Sequence, residues 1–353
     1  MRFAFGAGGT GGHIIPALAL ADELKSRGHH SIFIGNAKSM EERLSADSAY
    51  PFFPIQVQKL YRKLSLSNLL FPYYLIHSIA QSRRILRSEA IDAVISTGGF
   101  VAGPVSIAAL RLKLPCFLHE SNSYPGLTTR YLAKHLHRLY LSFEESKRYI
   151  KQANIKNYGI PIKNQNSLDE FKLSEYGLSP NKKTLLISGG SQGSLAINTA
   201  VSAIVRELWE DGWQILWQTG SLSYEQFKAI HKDDAGLYLF EFSPVLPAMM
   251  RIANLAITRA GAMTIAELEA ARLPAILIPL PTAAGNHQYY NALAQQNKQV
   301  AEILLQNQLN PQSLLALIKQ INLSRLKAEL NKLPENKAAQ TIISDILTCL
   351  KEN

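Results

Sequence analysis

Apolar residues fall along this chain in short, nearly unbroken runs, separated by longer stretches with helical spacing. In the first half the runs cover residues 2–5, 31–34, 52–57, 93–96, 116–118 and 139–142. In the second half they cover 184–188, 214–218, 238–242, 255–258, 275–279 and 300–303. Such runs, apolar on both faces, predict strands buried in parallel sheets. The stretches between them predict amphipathic helices, as in 15–27 with apolar residues at 15, 18, 21 and 24. Strand and helix in alternation imply an α/β fold, its sheets covered on both faces and its ligand sites at the carboxyl ends of the strands.

The alternation is interrupted once. Residues 159–182 are polar, punctuated by glycine and proline and without period, which marks a boundary between two domains. A length of 353 residues gives each domain enough chain for its own core. Beyond Pro311 the pattern is helical throughout, and Pro334 breaks it before a last helix at about 336–351.

Composition changes this picture little. An apolar share of 47% with 18% charged residues is ordinary for a soluble globular enzyme. Two cysteines, Cys116 and Cys349, make no disulfide framework or metal-ligand set, and a reducing, cytoplasmic setting is expected. The first glycine loop begins five residues in, which leaves no room for a signal peptide there. Charge adds more: a net +10 and a pI near 9.4 point to an acidic partner. Residues 59–87 place an apolar and aromatic run, 69–76, between Lys59, Arg62 and Lys63 on one side and Arg83, Arg84 and Arg87 on the other. That is the pattern of a patch lying on an anionic membrane, too short and interrupted to span one. A buried amphipathic helix with solvated basic ends fits the same pattern.

The chemistry sits in the loops. Residues 6–13 read Gly-Ala-Gly-Gly-Thr-Gly-Gly-His, and Gly189-Gly190-Ser191-Gln192-Gly193 recurs half a chain later; each joins a strand to a helix. Such junctions suit anions, because backbone N–H groups and the helix dipole point at the ligand. The first loop matches a dinucleotide fingerprint, but its second strand runs out as Ile34-Gly35-Asn36-Ala37-Lys38, without the carboxylate that would hold a ribose. A nicotinamide or flavin enzyme is therefore disfavoured, and His13 at the helix start is a candidate general base. Strand-end neighbours are the Gly98-Gly99-Phe100-Val101-Ala102-Gly103-Pro104 cluster and His119-Glu120-Ser121-Asn122, with Glu120 a rival base or only a loop anchor. In the second half, Arg259-Ala260-Gly261-Ala262-Met263-Thr264 suits a phosphate; Glu267 suits vicinal ribose hydroxyls, and Gln288 sugar hydroxyls.

Taken in order, Gly8–His13, Gly98–Pro104, His119-Glu120-x-Asn122 with Pro125-Gly126-Leu127, Gly189–Gly193, Arg259-x-Gly261-Ala262-x-Thr264-x-x-Glu267 and Gln288-Tyr289-x-Asn291-Ala292 resemble the MurG family. Its members are UDP-N-acetylglucosamine–N-acetylmuramyl-(pentapeptide) pyrophosphoryl-undecaprenol N-acetylglucosamine transferases, and the likeness covers nearly the whole chain. The resemblance implies a GT-B glycosyltransferase: two Rossmann-like domains with an interdomain cleft, at 1–160 and 161–335, the helix at about 336–353 packing back on the first. It implies transfer of N-acetylglucosamine to lipid I with inversion, giving lipid II for peptidoglycan synthesis, at the cytoplasmic face of the inner membrane. Donor contacts implied are Thr10, Gly11, Gly12, Asn122, Lys163, Ser191, Ser243, Ala262, Met263, Thr264, Glu267 and Gln288; Gly98, Gly99 and Gly103 would meet the lipid acceptor, and His13 or Glu120 would be the base. The same resemblance moves residues about 59–87 towards the membrane reading.

No cofactor and no nucleic-acid partner are implied. No Asp-x-Asp pair is present to hold a metal on a leaving diphosphate, so helix starts and backbone N–H groups are expected to stabilise it. The chain departs from the family pattern at Lys163, where an arginine is usual, and at Ser121, Ser243 and Asn286. Other readings on the same scaffold are a diacylglycerol galactosyltransferase, a UDP-N-acetylglucosamine epimerase and a catalytically idle sugar-nucleotide scaffold.

Overall fold

The computed structural model describes residues 1–58, 69–151, 153–162 and 171–352. The chain forms two compact units, Met1–Lys163 with Asn336–Asn353, and Asn164–Glu335. Each is built on one wholly parallel sheet.

In the first unit the strands are β1 (Arg2–Ala7), β2 (His30–Gly35), β3 (Phe52–Pro54), β4 (Ala93–Gly98), β5 (Cys116–Glu120), β6 (Arg138–Leu141) and β7 (Ile155–Asn157), in the order β3-β2-β1-β4-β5-β6-β7. The second unit has β8 (Lys183–Ser188), β9 (Trp213–Gln218), β10 (Leu237–Phe240), β11 (Leu255–Thr258), β12 (Ala275–Leu277) and β13 (Ala301–Ile303), in the order β10-β9-β8-β11-β12-β13. Both orders are doubly wound, reversing direction between the first and fourth strands of each sheet. At that point successive helices leave to opposite faces. Ile14, Leu18 and Leu24 of helix Gly11–Ser26 pack on one face with Phe3, Phe5 and Ile95; Val101 and Val105 of helix Gly99–Arg111 pack on the other with Ala4 and Val94. The second unit repeats this with Ile197 and Val201 on one face, and Ile265 and Leu268 on the other.

Two sequence expectations change. The strand expected over 52–57 ends at Pro54, because Asn36 takes over the pairing: its side-chain amide donates to the Val57 carbonyl and accepts from the Val57 N–H. The stretch 159–182 is not all linker. Phe171, Leu173 and Leu178 are buried in the second unit's core, and Phe171 stacks on Tyr176 with ring centroids 4.4 Å apart. The short edge strand Ile155–Asn157 goes unsignalled in the sequence, having a single apolar residue.

The last helix, Ala338–Lys351, belongs to the first unit. Ile342, Ile343 and Ile346 lie in the core with Phe3, Phe5 and Leu24, and Asp345 receives bonds from Arg138 and Tyr140 of β6. Both partners of the ion pair are largely shielded from water. Asp345→Ala strands the guanidinium and phenol together, and we expect it to lower stability by about 3 kcal/mol. Urea unfolding measures this; a change within about 0.5 kcal/mol contradicts the pinning role.

Candidate active site

The switch point of the first unit is built from two loops in backbone contact. A Cβ on Gly99 would collide with the Gly8 carbonyl, and one on Gly98 would lie 2.6 Å from His13 Nδ1. Gly98 and Gly99 have positive φ, 105° and 78° respectively, so neither position tolerates a side chain. Thr10, in extended conformation, caps helix Gly11–Ser26 through its carbonyl, which accepts from the N–H groups of His13 and Ile14. The N–H groups of Gly11 and Gly12 belong to the same first turn, where the helix supplies no partner.

His13 is clamped across this junction. The Thr97 hydroxyl donates to the His13 carbonyl at 2.6 Å, and His13 Nδ1 lies 3.0 Å from the Thr97 carbonyl. A carbonyl only accepts, so Nδ1 carries the hydrogen, and in the neutral ring the lone pair falls on Nε2. The half-exposed ring is thus held in the tautomer that takes a proton through Nε2. Sequence reasoning singled out His13 but not Thr97, whose only signal is its place just before Gly98.

At the end of β5 the two other candidates have different roles. Both oxygens of Glu120 are occupied: Oε1 accepts from the backbone N–H and side-chain amide of Asn122, Oε2 from Gly126 N–H at 2.9 Å and the Thr129 hydroxyl at 2.6 Å. Glu120 is therefore a loop anchor that sets Asn122 in place, and taking a proton there would break the bonds that hold the loop. His119 is fully buried; Nε2 donates to the Gly159 carbonyl at 3.0 Å, and burial lowers its pKa to about 4. Gly103 faces Thr128 of helix Leu127–Leu132, so the Gly98–Pro104 cluster is the end of β4 and the first turns of a helix rather than an open loop.

The second unit has its own switch-point site. Gly193 packs on the Thr219 backbone, where a Cβ would collide, and Ser194 caps helix Leu195–Ser202. Ser191 is exposed on this loop. Arg259, at the end of β11, donates to the carbonyls of Ile278 and Pro279, to Ser194 Oγ at 2.6 Å and to Gln306 Oε1 at 2.7 Å. All four acceptors are neutral, and among the described residues no carboxylate pairs with it. A half-buried positive charge thus sits beside the starts of helices Leu195–Ser202 and Ala262–Ala271, an electropositive floor for an anion.

Around that floor stand the remaining candidates. Ala262, Met263 and Thr264 form the first turn of helix Ala262–Ala271, capped by Gly261. Glu267, one turn further on, is half-buried and makes no hydrogen bond or ion pair among the described residues; burial pushes its pKa up to about 7. Gln288 accepts from Leu280 N–H at 3.0 Å, which orients its amide and leaves the NH₂ group for donation. Ser243 N–H donates to Gln218, whose amide donates to Ser188 and to the Gly190 carbonyl, so one buried glutamine ties three strand ends together. Gln218 escaped sequence reasoning, being a single polar residue closing an apolar run. Lys163 lies outside the described residues.

Comparison with known proteins decides the family. The model of the glycosyltransferase family 28 N-terminal domain matches residues 3–141, and that of its C-terminal domain residues 184–346. The chain belongs to glycosyltransferase family 28. A relative from Listeria welshimeri serovar 6b, named UDP-N-acetylglucosamine–N-acetylmuramyl-(pentapeptide) pyrophosphoryl-undecaprenol N-acetylglucosamine transferase, is 34% identical over 99% of this chain and all of its own length. The crystal structure of Acinetobacter baumannii MurG superimposes with a TM-score of 0.78 at 26% identity, covering 98% of this chain and 99% of that one. A putative UDP-N-acetylglucosamine 2-epimerase from Listeria monocytogenes reaches a TM-score of 0.71 at 12% identity, over all of this chain and 96% of its own; this likeness is one of fold. The fold of this family 28 member is GT-B, two Rossmann-like domains on parallel sheets.

The buried His119 predicts an acid sensitivity. Unfolded histidine takes up a proton near pH 6.5 and the folded one only near pH 4. Between those values the unfolded chain binds more protons, so stability falls as pH drops through this window, by about 3 kcal/mol in all. Urea midpoints measured from pH 7 to pH 4 should lose this part of the slope in His119→Asn. An unchanged slope contradicts it.

Proposed function

We propose that the chain transfers N-acetylglucosamine from UDP-N-acetylglucosamine to the 4-hydroxyl of the N-acetylmuramyl unit of lipid I. The products are lipid II and UDP, and the anomeric centre inverts. What carries the reading is the end-to-end relationship, 99% of this chain against the whole of a relative bearing that name. The first unit takes the lipid-linked acceptor near Gly98, Gly99 and Gly103, and the second binds the sugar nucleotide.

The chemistry follows from the site's residues. His13 Nε2 takes the proton of the acceptor hydroxyl as its oxygen attacks the anomeric carbon, and the bond from that carbon to the diphosphate oxygen breaks. Negative charge then grows on UDP. The Arg259 cation, the Ala262–Thr264 turn and the loop of Ser191 are already oriented to meet it, so little reorganisation is needed. Glu267 accepts from the ribose hydroxyls and Gln288 donates to the sugar; the family resemblance also assigns Thr10, Gly11, Gly12 and Asn122 to the donor. It assigns Ser243, and Lys163 outside the described residues, to the uracil. Glu120 positions Asn122 rather than moving the proton.

Membrane docking is the second part of the proposal. In the described part of 59–87, helix Phe71–Ser88 buries Ile79 and Leu86 and presents Tyr73 and Ile76 to solvent, with Leu69 and Leu70 exposed just before its start. Tyr73 and Ile76 are 63% and 69% exposed. Further along, Arg83, Arg84, Arg87 and Arg111 line one groove, without acidic partners among the described residues. Apolar side chains next to unpaired arginines suit the anionic cytoplasmic face of the inner membrane, where the acceptor is anchored. No helix among the described residues is long and apolar enough to cross a membrane. Phe71 and Tyr74, in the same aromatic run, are half-buried, so the exposed residues are the ones to test.

Three outcomes are expected. His13→Ala lowers kcat on a lipid I analogue by roughly 10² to 10⁴-fold with UDP-N-acetylglucosamine binding intact; an unchanged kcat removes His13 as the base. Because ribose hydroxyls must meet a charged Glu267, whose pKa stands near 7 without ligand, sugar-nucleotide affinity should fall as pH drops below about 7. Calorimetry in buffers of different ionisation enthalpy should show proton release on binding near neutral pH, abolished in Glu267→Gln. Equal release by both proteins counts against this linkage. Replacing Leu69, Tyr73 and Ile76 together with serine should abolish binding to anionic vesicles and spare sugar-nucleotide binding; retained vesicle binding rejects this surface.

A further inference from the structure

The first glycine loop contacts an acid that the chemistry above leaves unused. Glu41, in the first turn of helix Met40–Asp47, is 1% exposed. Its Oε2 accepts from Gly9 N–H at 3.4 Å and its Oε1 from Asn36 N–H at 3.2 Å. No basic side chain pairs with it among the described residues. Two long bonds use only part of a carboxylate's capacity, and an unpaired buried carboxylate is costly. It lies in the first turn of its own helix and bonds the turn that leads into helix Gly11–Ser26.

Glycines have cleared the space. A Cβ on Gly8 would lie 2.7 Å from Glu41 Oε1, and one on Gly35 2.5 Å from its Cγ. The other side of Gly8 belongs to His13. The Gly8 carbonyl packs on Gly99, whose own Cβ would lie 3.3 Å from His13 Cδ2. The width of one backbone therefore separates the Glu41 carboxylate from the seat of the imidazole. The acid that the end of β2 lacks is thus supplied at position 41, turned into the loop instead of towards a ribose.

We propose that Glu41 is a positioning residue: its carboxylate bonds the first glycine loop at Gly9, fixes the Gly8–Gly9 ridge and through it the placement of His13. The inference rests on reading His13 as the base.

The test compares Glu41→Ala and Glu41→Gln in two measurements. Without substrate, nitrogen-15 NMR of the labelled histidines reports the His13 tautomer. The wild type should show hydrogen on Nδ1, both variants a displaced and mixed signal, and formate should restore the wild-type signal in Glu41→Ala by refilling the anion site. In transfer assays kcat should fall by about 10- to 100-fold, the scale of a misplacement of about 1 Å, with KM for UDP-N-acetylglucosamine within about threefold and partial recovery in formate. An unmoved His13 signal in folded variants, or no recovery with formate, overturns the proposal. Glu41→Gln keeps the side chain's size and removes only the charge, which keeps the test decisive if Glu41→Ala does not fold. A wild type that shows the His13 response yet transfers no sugar to lipid I contradicts the functional reading and leaves the Glu41 assignment standing.

Discussion

Everything at the site depends on one steric constraint. Where a parallel sheet reverses its winding, adjacent strands send their helices to opposite faces, and the two departing loops must cross at backbone distance. In the first unit Gly99 against Gly8 is that crossing, with no space for a Cβ. Crossing at that distance lets Thr97, at the end of β4, hold the histidine that follows β1. In the second unit the corresponding loops, after β8 and β11, are joined by a side chain: Arg259, beyond β11, reaches the serine that follows β8, while Gly193 packs on Thr219 after β9.

The two units carry their switch points with opposite electrostatics. In the first, a buried carboxylate bonds the glycine loop and an imidazole stands beside it. In the second, an arginine with no carboxylate partner among the described residues lies beside two helix starts, and Glu267 on one of those helices has no hydrogen-bond partner among the described residues. One arrangement suits taking a proton from a hydroxyl, the other receiving a nucleoside diphosphate and its ribose. Under the proposed function, that asymmetry assigns the two halves of a displacement to two copies of one topology.

The fold was largely legible because parallel strands buried on both faces leave continuous apolar runs. All twelve of those runs became strands. Ile155–Asn157 was not legible, since an edge strand of three residues with one apolar side chain carries no such run. Nor was the part of 159–182 that enters the core: Phe171, Leu173 and Leu178 are isolated in a polar stretch, and only tertiary packing recruits them. At the site, glycine spacing exposed the loops and His13. It concealed the residues acting at right angles to the chain. Thr97, Glu41 and Gln218 act through partners 84, 32 and 28 residues away, and no local pattern encodes that. Glu120 looked like a possible base because residue type was visible and its four donors were not.

The most direct measurement of the central claim is product analysis after incubation with labelled UDP-N-acetylglucosamine and a lipid I analogue, with diacylglycerol as the competing acceptor. The account predicts one labelled product, N-acetylglucosamine joined to the 4-hydroxyl of the muramyl unit with the anomeric configuration inverted, formed in step with UDP. Label on diacylglycerol, free sugar released without acceptor, or retention at the anomeric carbon would contradict it.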